Sequence, residues 1–146
     1  MTENIGEPLD DFEMEEFLED SGLGVLGLAR DGVAYSIPIA FAYDAPNHRC
    51  ILRFVMGEDS TKREFLATTE EASLAVYDWE SAGEWESVVL AGTLEELDGE
   101  DIAGAAAVFA DIGEEGALEV FNRPLEEYET AWYALSIAEM TGRGAF

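Results

Sequence analysis

Cations are what this chain lacks. It carries 33 Asp and Glu against seven Lys and Arg, and Lys62 is its single lysine. No basic stripe exists along which a nucleic-acid backbone or an anionic membrane could lie, so neither is expected as a partner. Cysteine is nearly absent too. Cys50 stands alone, which excludes an internal disulfide and a cysteine-based zinc site. Followed by Ile51 and Leu52, it reads as a buried strand residue. His48 is the one histidine and falls in the turn-like stretch Ala45-Pro46-Asn47-His48, so one chain holds no multi-histidine metal site. No apolar run approaches the roughly 20 residues of a membrane span. The acidic N-terminus is unlike a signal peptide, and a soluble cytoplasmic protein is expected.

What is present is apolar bulk. Apolar residues make up 48% of the chain, with eight Phe, five Tyr and three Trp, enough for a packed interior. High charge without low hydrophobicity is not the composition of disorder. The length fits one domain, residues 1–146. A net charge of −26 repels itself in dilute buffer and suits molar salt, where the Debye length falls to about 3 Å. With so little lysine, this is the composition of a salt-accumulating halophile of haloarchaeal type. The acidity therefore reads as adaptation rather than as a binding device.

Along the chain, Asp10 with Glu13 forms a capping-box pattern opening a helix near residues 10–20, with Phe12, Met14, Phe17 and Leu18 on its apolar side. Gly24 to Ala29 reads as a strand, and Asp31-Gly32 favours a tight hairpin into Val33–Tyr43. Pro38 interrupts that return strand, which marks an edge, a bulge or the approach of something other than a strand. Cys50–Val55 is a third strand, Ser73–Trp79 a fourth and Trp85–Leu97 a fifth, with Gly92 expected at a bulge or bend. Between Asp98 and Gly113 the period becomes helical, placing Ile102, Ala106, Phe109 and Ile112 on one face. Leu118, Val120 and Phe121 suggest a short helix before Arg123-Pro124. Trp132–Ala138 returns to strand. Six closely spaced strands with peripheral helices predict a mainly β, small antiparallel barrel.

Against this acidic background the run Ser60-Thr61-Lys62-Arg63, just after the third strand, suggests a local need for positive charge. An anion, above all a phosphate, would gain there from side-chain cations, free backbone N–H groups and the helix dipole. The same residues also make an ordinary helix start with Ser60 as N-cap.

The order of these signals resembles the pyridoxamine 5′-phosphate oxidase-like flavoproteins. The resemblance runs from Gly24–Leu28 through Ile37-Pro38-Ile39-Ala40-Phe41, Leu52-Arg53-Phe54 and Ser60-Thr61-Lys62 to Trp85–Gly92. It covers roughly residues 10–97, with a weaker match from Trp132–Met140 and Thr141-Gly142-Arg143. It implies a six-stranded antiparallel split β-barrel, a homodimer, and FMN bound at the subunit interface. By position, Ser60 and Lys62 match the family's Ser-x-Lys, which grips the flavin phosphate. Thr61 falls where the oxidases often have arginine, and Arg53 or Arg63 would compensate electrostatically. Ile37, Pro38, Ile39 and Phe41 match the strand whose backbone lies along the flavin ring, although their side chains read equally well as barrel core. Phe54 and Val55 match the residues preceding the phosphate loop.

Three departures limit what the resemblance implies. Oxidases acting on pyridoxamine phosphate carry extra basic residues for the substrate's own phosphate, which this chain is short of. Ser87 stands where they commonly place a glutamine near the flavin, and Val55 near where the nitroimidazole-resistance proteins have a histidine. The expectation is a flavin-dependent oxidoreductase acting on a small molecule, with catalytic residues and substrate unassigned and no metal. Alternatives are a deazaflavin-dependent reductase on the same barrel, which the scarcity of cations disfavours, and a non-catalytic flavin or haem carrier or sensor. Trp79, Trp85, Trp132 and Tyr133 are candidates for stacking on a ring or lining an interface, although packing is the commoner use of such aromatics.

Overall fold

The structure, a computed structural model, describes residues 6–56, 60–112 and 129–146. Its elements in chain order are β1 (Glu7–Pro8), α1 (Asp11–Glu19), β2 (Leu23–Arg30), β3 (Val33–Asp44), β4 (Arg49–Met56), α2 (Ser60–Thr68), β5 (Glu71–Ser81), β6 (Glu84–Glu96), α3 (Glu100–Ile112) and β7 (Glu129–Ala145). Strand order is β1-β7-β4-β3-β2-β5-β6, and an added β7–β6 pairing closes the ring. Every pairing is antiparallel. Six strands thus make the expected barrel. The two-residue β1, too short for any periodicity, adds onto the end of β7.

Alternation builds the interior. Leu26 and Leu28, Ile39 and Phe41, Leu52 and Phe54, Leu74 and Val76, and Val88 and Leu90 project inward as successive strand pairs into one buried cluster. A second, smaller core lies where α3 covers the outside of the barrel, between Ala105 on the helix and Ala42, Ile51 and Ala134 on β3, β4 and β7. Asp31 and Gly32, both at positive φ (51° and 81°), turn β2 into β3 as the Asp-Gly pair predicts. The β6–β7 register shifts between Ala91 and Gly92, so the expected bulge is there.

Helix α1 opens on its capping box, with Glu13 N–H donating to Asp10 (2.8 Å) and Asp10 N–H donating to Glu13 (2.9 Å). Met14, Phe17 and Leu18 are buried beneath it. Phe12 is not: it is 72% exposed. Two residues advance a helix by about 200°, which turns Phe12 away from the face that Met14 buries. The expected helix around Leu118–Phe121 lies outside the described residues, as do the side chains of Phe109 and Ile112.

Two strands diverge, and that positions the site. Residues 33–40 of β3 pair with β2, whereas only Phe41–Asp44 pair with β4. On the other side, β4 pairs with β3 through Arg49–Leu52, and Arg53–Met56 pair with β7 alone. Among the described residues no strand fills the gap. The barrel is split there, and Pro38 stands on the open stretch of β3.

Candidate functional site

Helix α2 follows β4 and caps the barrel at the split. Phe65 and Leu66 are buried, and the Phe65 ring stacks on Tyr35 of the open β3 stretch, with centroids 4.9 Å apart and planes 13° apart. This contact sets the first turn of α2 against the end of β4. There the Lys62 ammonium donates to the Val55 carbonyl oxygen at 3.2 Å. Arg53 lies two residues before Val55, on the same side of β4. Its cross-strand neighbour on β7 is Trp132, and Trp132 shares a cavity with Arg63. Lys62 thus meets the end of β4 that carries Arg53, and Arg63 follows it in the helix.

Arg30 pairs with Glu64 at 2.7 Å, Arg49 with the buried Asp44 at 3.0 Å, and Arg143 donates to the Gly6 carbonyl at 3.1 Å. Three of the six described cations, Arg53, Lys62 and Arg63, thus lie in the second half of β4 or the first turn of α2.

The expected site residues sort into three groups. Thr61, Lys62 and Arg63 lie in the first turn of α2 and Arg53 and Val55 beside it. Ser60 is the first helical residue rather than the residue before the helix, and its side chain lies outside the described residues. Ile39, Phe41 and Phe54 are buried in the barrel core, where the Phe54 ring meets Tyr133 edge-on at 5.1 Å. Their side chains fill the interior, which leaves the β3 backbone to face the gap. Ile37 is half-buried against the core and Pro38 is exposed. Ser87 is apart from both groups. It pairs with Tyr77 and Arg143, several residues along β6 from Leu94, which meets the chain just after α2. Sequence reasoning missed Tyr35 as a wall of the split; its alternation with Ile37 and Ile39 was the available signal.

These groups can hold a phosphorylated, flat, partly apolar ligand. Cations and helix N–H groups would take the phosphate. Every second N–H and C=O of residues 33–40 points away from β2 and can meet the polar edge of a ring. A flavin nucleotide is such a ligand, and the donor set fits one. If bound there, it would supply redox chemistry. The chain's own contribution would be to hold the phosphate, orient the ring along β3 and exclude water with the core side chains beneath.

The model of the pyridoxamine 5′-phosphate oxidase family matches residues 10–144. The chain belongs to that family. Proteins of known structure share its fold. A FAD-binding protein from Mesorhizobium loti is 21% identical, with 96% of this chain and 98% of that one covered at a TM-score of 0.77. A FAD-binding protein from Mycobacterium smegmatis is 19% identical, over 95% of this chain and 98% of that one, at 0.69. A flavocytochrome from Azotobacter vinelandii is 22% identical over 94% of this chain and 68% of that one, at 0.66. A search of curated proteins found no match. No helix among the described residues is long and apolar enough to cross a membrane.

Proposed function

We propose that this family member is a flavin-dependent oxidoreductase that holds its cofactor's phosphate at the first turn of α2. The observation that carries the reading is Lys62, followed by Arg63 in the first turn of α2, held at the end of β4 beside the split in a chain of net charge −26. FMN is the smallest ligand that satisfies it, and FAD shares the same ring, ribityl chain and first phosphate. The names of the structural neighbours support a flavin. Haem has less support, because His48 is exposed in the turn between β3 and β4.

The working form would be a homodimer in a salt-rich cytoplasm. In a chain so rich in carboxylates, the outward positions Val25, Gly27, Ala34, Ser36, Val89 and Ala91 of β2, β3 and β6 are uncharged, and Glu71 and Glu139 border them. A second copy would cover them and could bring Ser87 towards a flavin at the interface.

Titrating FMN and riboflavin into wild type and Lys62→Ala tests the phosphate site. Charge-assisted contacts contribute about 1.5–3 kcal/mol, so FMN should weaken roughly ten- to hundred-fold while riboflavin, lacking the phosphate, should hardly change. Equal loss for both ligands would place Lys62 outside the phosphate site. No loss for either would return it to a plain structural contact with Val55.

A further inference from the structure

Of the three described α-helices, α2 alone has no acid in its first turn; α1 begins with Asp11 and Glu13, and α3 with Glu100 and Asp101. The one acidic residue of α2 is Glu64. It stands four residues after Ser60 and three after Thr61, the spacings that bring helical side chains together. Long side chains on a helix lean back towards its N-terminus, so an unrestrained Glu64 would lie over the first turn. The free N–H groups of that turn are the donors offered to a phosphate, and a carboxylate competes for the same donors.

Instead the carboxylate is turned aside. Arg30, the last residue of β2, donates from Nη1 to Glu64 Oε1 at 2.7 Å, and its Nε lies 3.8 Å from Asp31 Oδ2. The guanidinium is raised above its ordinary value, first by the hydrogen bond to Glu64 and then by that carboxylate's charge. Both side chains are well exposed (40% and 56%), and an exposed ion pair contributes little to folding stability. Other contacts seat the helix. Thr69 Oγ1 donates to the carbonyl of Ala29, the neighbour of Arg30, at 3.1 Å, and the Phe65 ring stacks on Tyr35. Those contacts hold α2 on the β2–β3 hairpin independently and bring Glu64 within reach of Arg30. What the ion pair decides is where the carboxylate lies.

We propose that Arg30 is a positioning residue of the phosphate site: by holding the Glu64 carboxylate against the end of β2, it keeps that acid off the first turn of α2. The inference rests on the flavin-phosphate site proposed above and adds to it a residue from another strand.

FMN and riboflavin would be titrated into wild type, Arg30→Met, Arg30→Gln, Glu64→Ala and the double variant Arg30→Met/Glu64→Ala at one KCl concentration. Glu58 and Asp59, which precede the helix in the sequence, are common to all five proteins and drop out of the comparison. Losing Arg30 should weaken FMN about three- to ten-fold, the scale of one ordinary hydrogen bond, and leave riboflavin unchanged. Glu64→Ala alone should bind FMN at least as tightly as wild type, and in the double variant it should restore wild-type affinity. A merely anchoring pair behaves differently, because Glu64→Ala breaks the tie too and cannot rescue. Unchanged FMN affinity in a folded Arg30 variant, equal loss for riboflavin, or a double variant as weak as Arg30→Met would overturn the inference while leaving the phosphate site standing. A wild type that binds FMN no tighter than riboflavin would overturn both.

Discussion

Two glycine-to-alanine substitutions should move stability in opposite directions, and the geometry gives the size of each. At Gly92 an added Cβ would sit 1.8 Å from the Ser136 carbonyl oxygen and 2.8 Å from its carbonyl carbon. Ordinary contact begins at 3.4 Å, so the strands must part by about 3.4 − 1.8 = 1.6 Å. Both obstructing atoms are backbone and cannot swing aside. Separation by that distance breaks the neighbouring β6–β7 hydrogen bonds and loosens Leu94 and Leu135, which pair one step away. Two or three lost bonds at about 1 kcal/mol each, with the disturbed core, give a loss of about 3 kcal/mol or more. Gly104 is the opposite case. It lies inside α3 with nothing within 4 Å of an added Cβ, and alanine there should gain about 0.5–1 kcal/mol by helix propensity. Urea denaturation in molar KCl measures both: with a slope of about 2 kcal/mol per molar, Gly92→Ala should lower the midpoint by about 1.5 M. A Gly92→Ala midpoint within experimental error of wild type would mean that β6 and β7 do not meet in this register at the bulge.

Further outcomes follow from the charge distribution. Burial, then the charges of Asp78, Glu13 and Glu16, raise the Glu86 carboxyl above its ordinary 4.5, so the folded chain holds that proton more tightly than the unfolded chain does. Ionised Glu86 therefore opposes folding at neutral pH, and the opposition fades as pH falls through its folded value and is gone below 4.5. Glu86→Gln should accordingly raise the melting temperature at pH 7 and converge with wild type in acid; a constant difference across that range would contradict the assignment. With net charge −26, melting should rise from low to molar KCl, and sedimentation in high salt should give about twice the 16.0 kDa chain mass. A melting temperature indifferent to KCl, or a monomer that retains flavin, would remove the halophile or the dimer reading respectively.

Much of the barrel was legible because its information is local. Alternation in Ser73–Trp79, the Asp-Gly turn and the Asp10–Glu13 capping box each specify backbone within a few residues, and each appears as read. Phe12 failed because an apolar residue was assigned to the buried side without tracing its angle around the helix. Where Ser87 lies relative to the other site residues was not legible locally. That depends on register across β5, β6 and β7, which no local pattern encodes. The cavity beside Arg63 was invisible for the same reason: it joins residue 63 to residues near 97 and 132 through tertiary packing alone.

The open stretch of β3 poses a physical problem whose resolution favours a small ligand. Unpaired N–H and C=O groups on a strand edge template another strand and invite aggregation. Here the stretch 33–40 carries Pro38 near its end, which has no N–H to offer on either side, so a continuous ladder cannot extend along it. Tyr35, two residues into the stretch, is held by Phe65 of α2, which places the cationic first turn of that helix at the edge of the same gap. An edge that resists a full strand yet retains a few backbone donors and acceptors suits a ligand with one short polar margin. The cations that would hold such a ligand's phosphate lie on the helix that the Tyr35–Phe65 stack fixes in place. Removing that stack by Tyr35→Ala should therefore weaken flavin binding even though, in the proposed site, Tyr35 contacts no phosphate. Retention of wild-type FMN affinity in a folded Tyr35→Ala protein would show that α2 is positioned without β3.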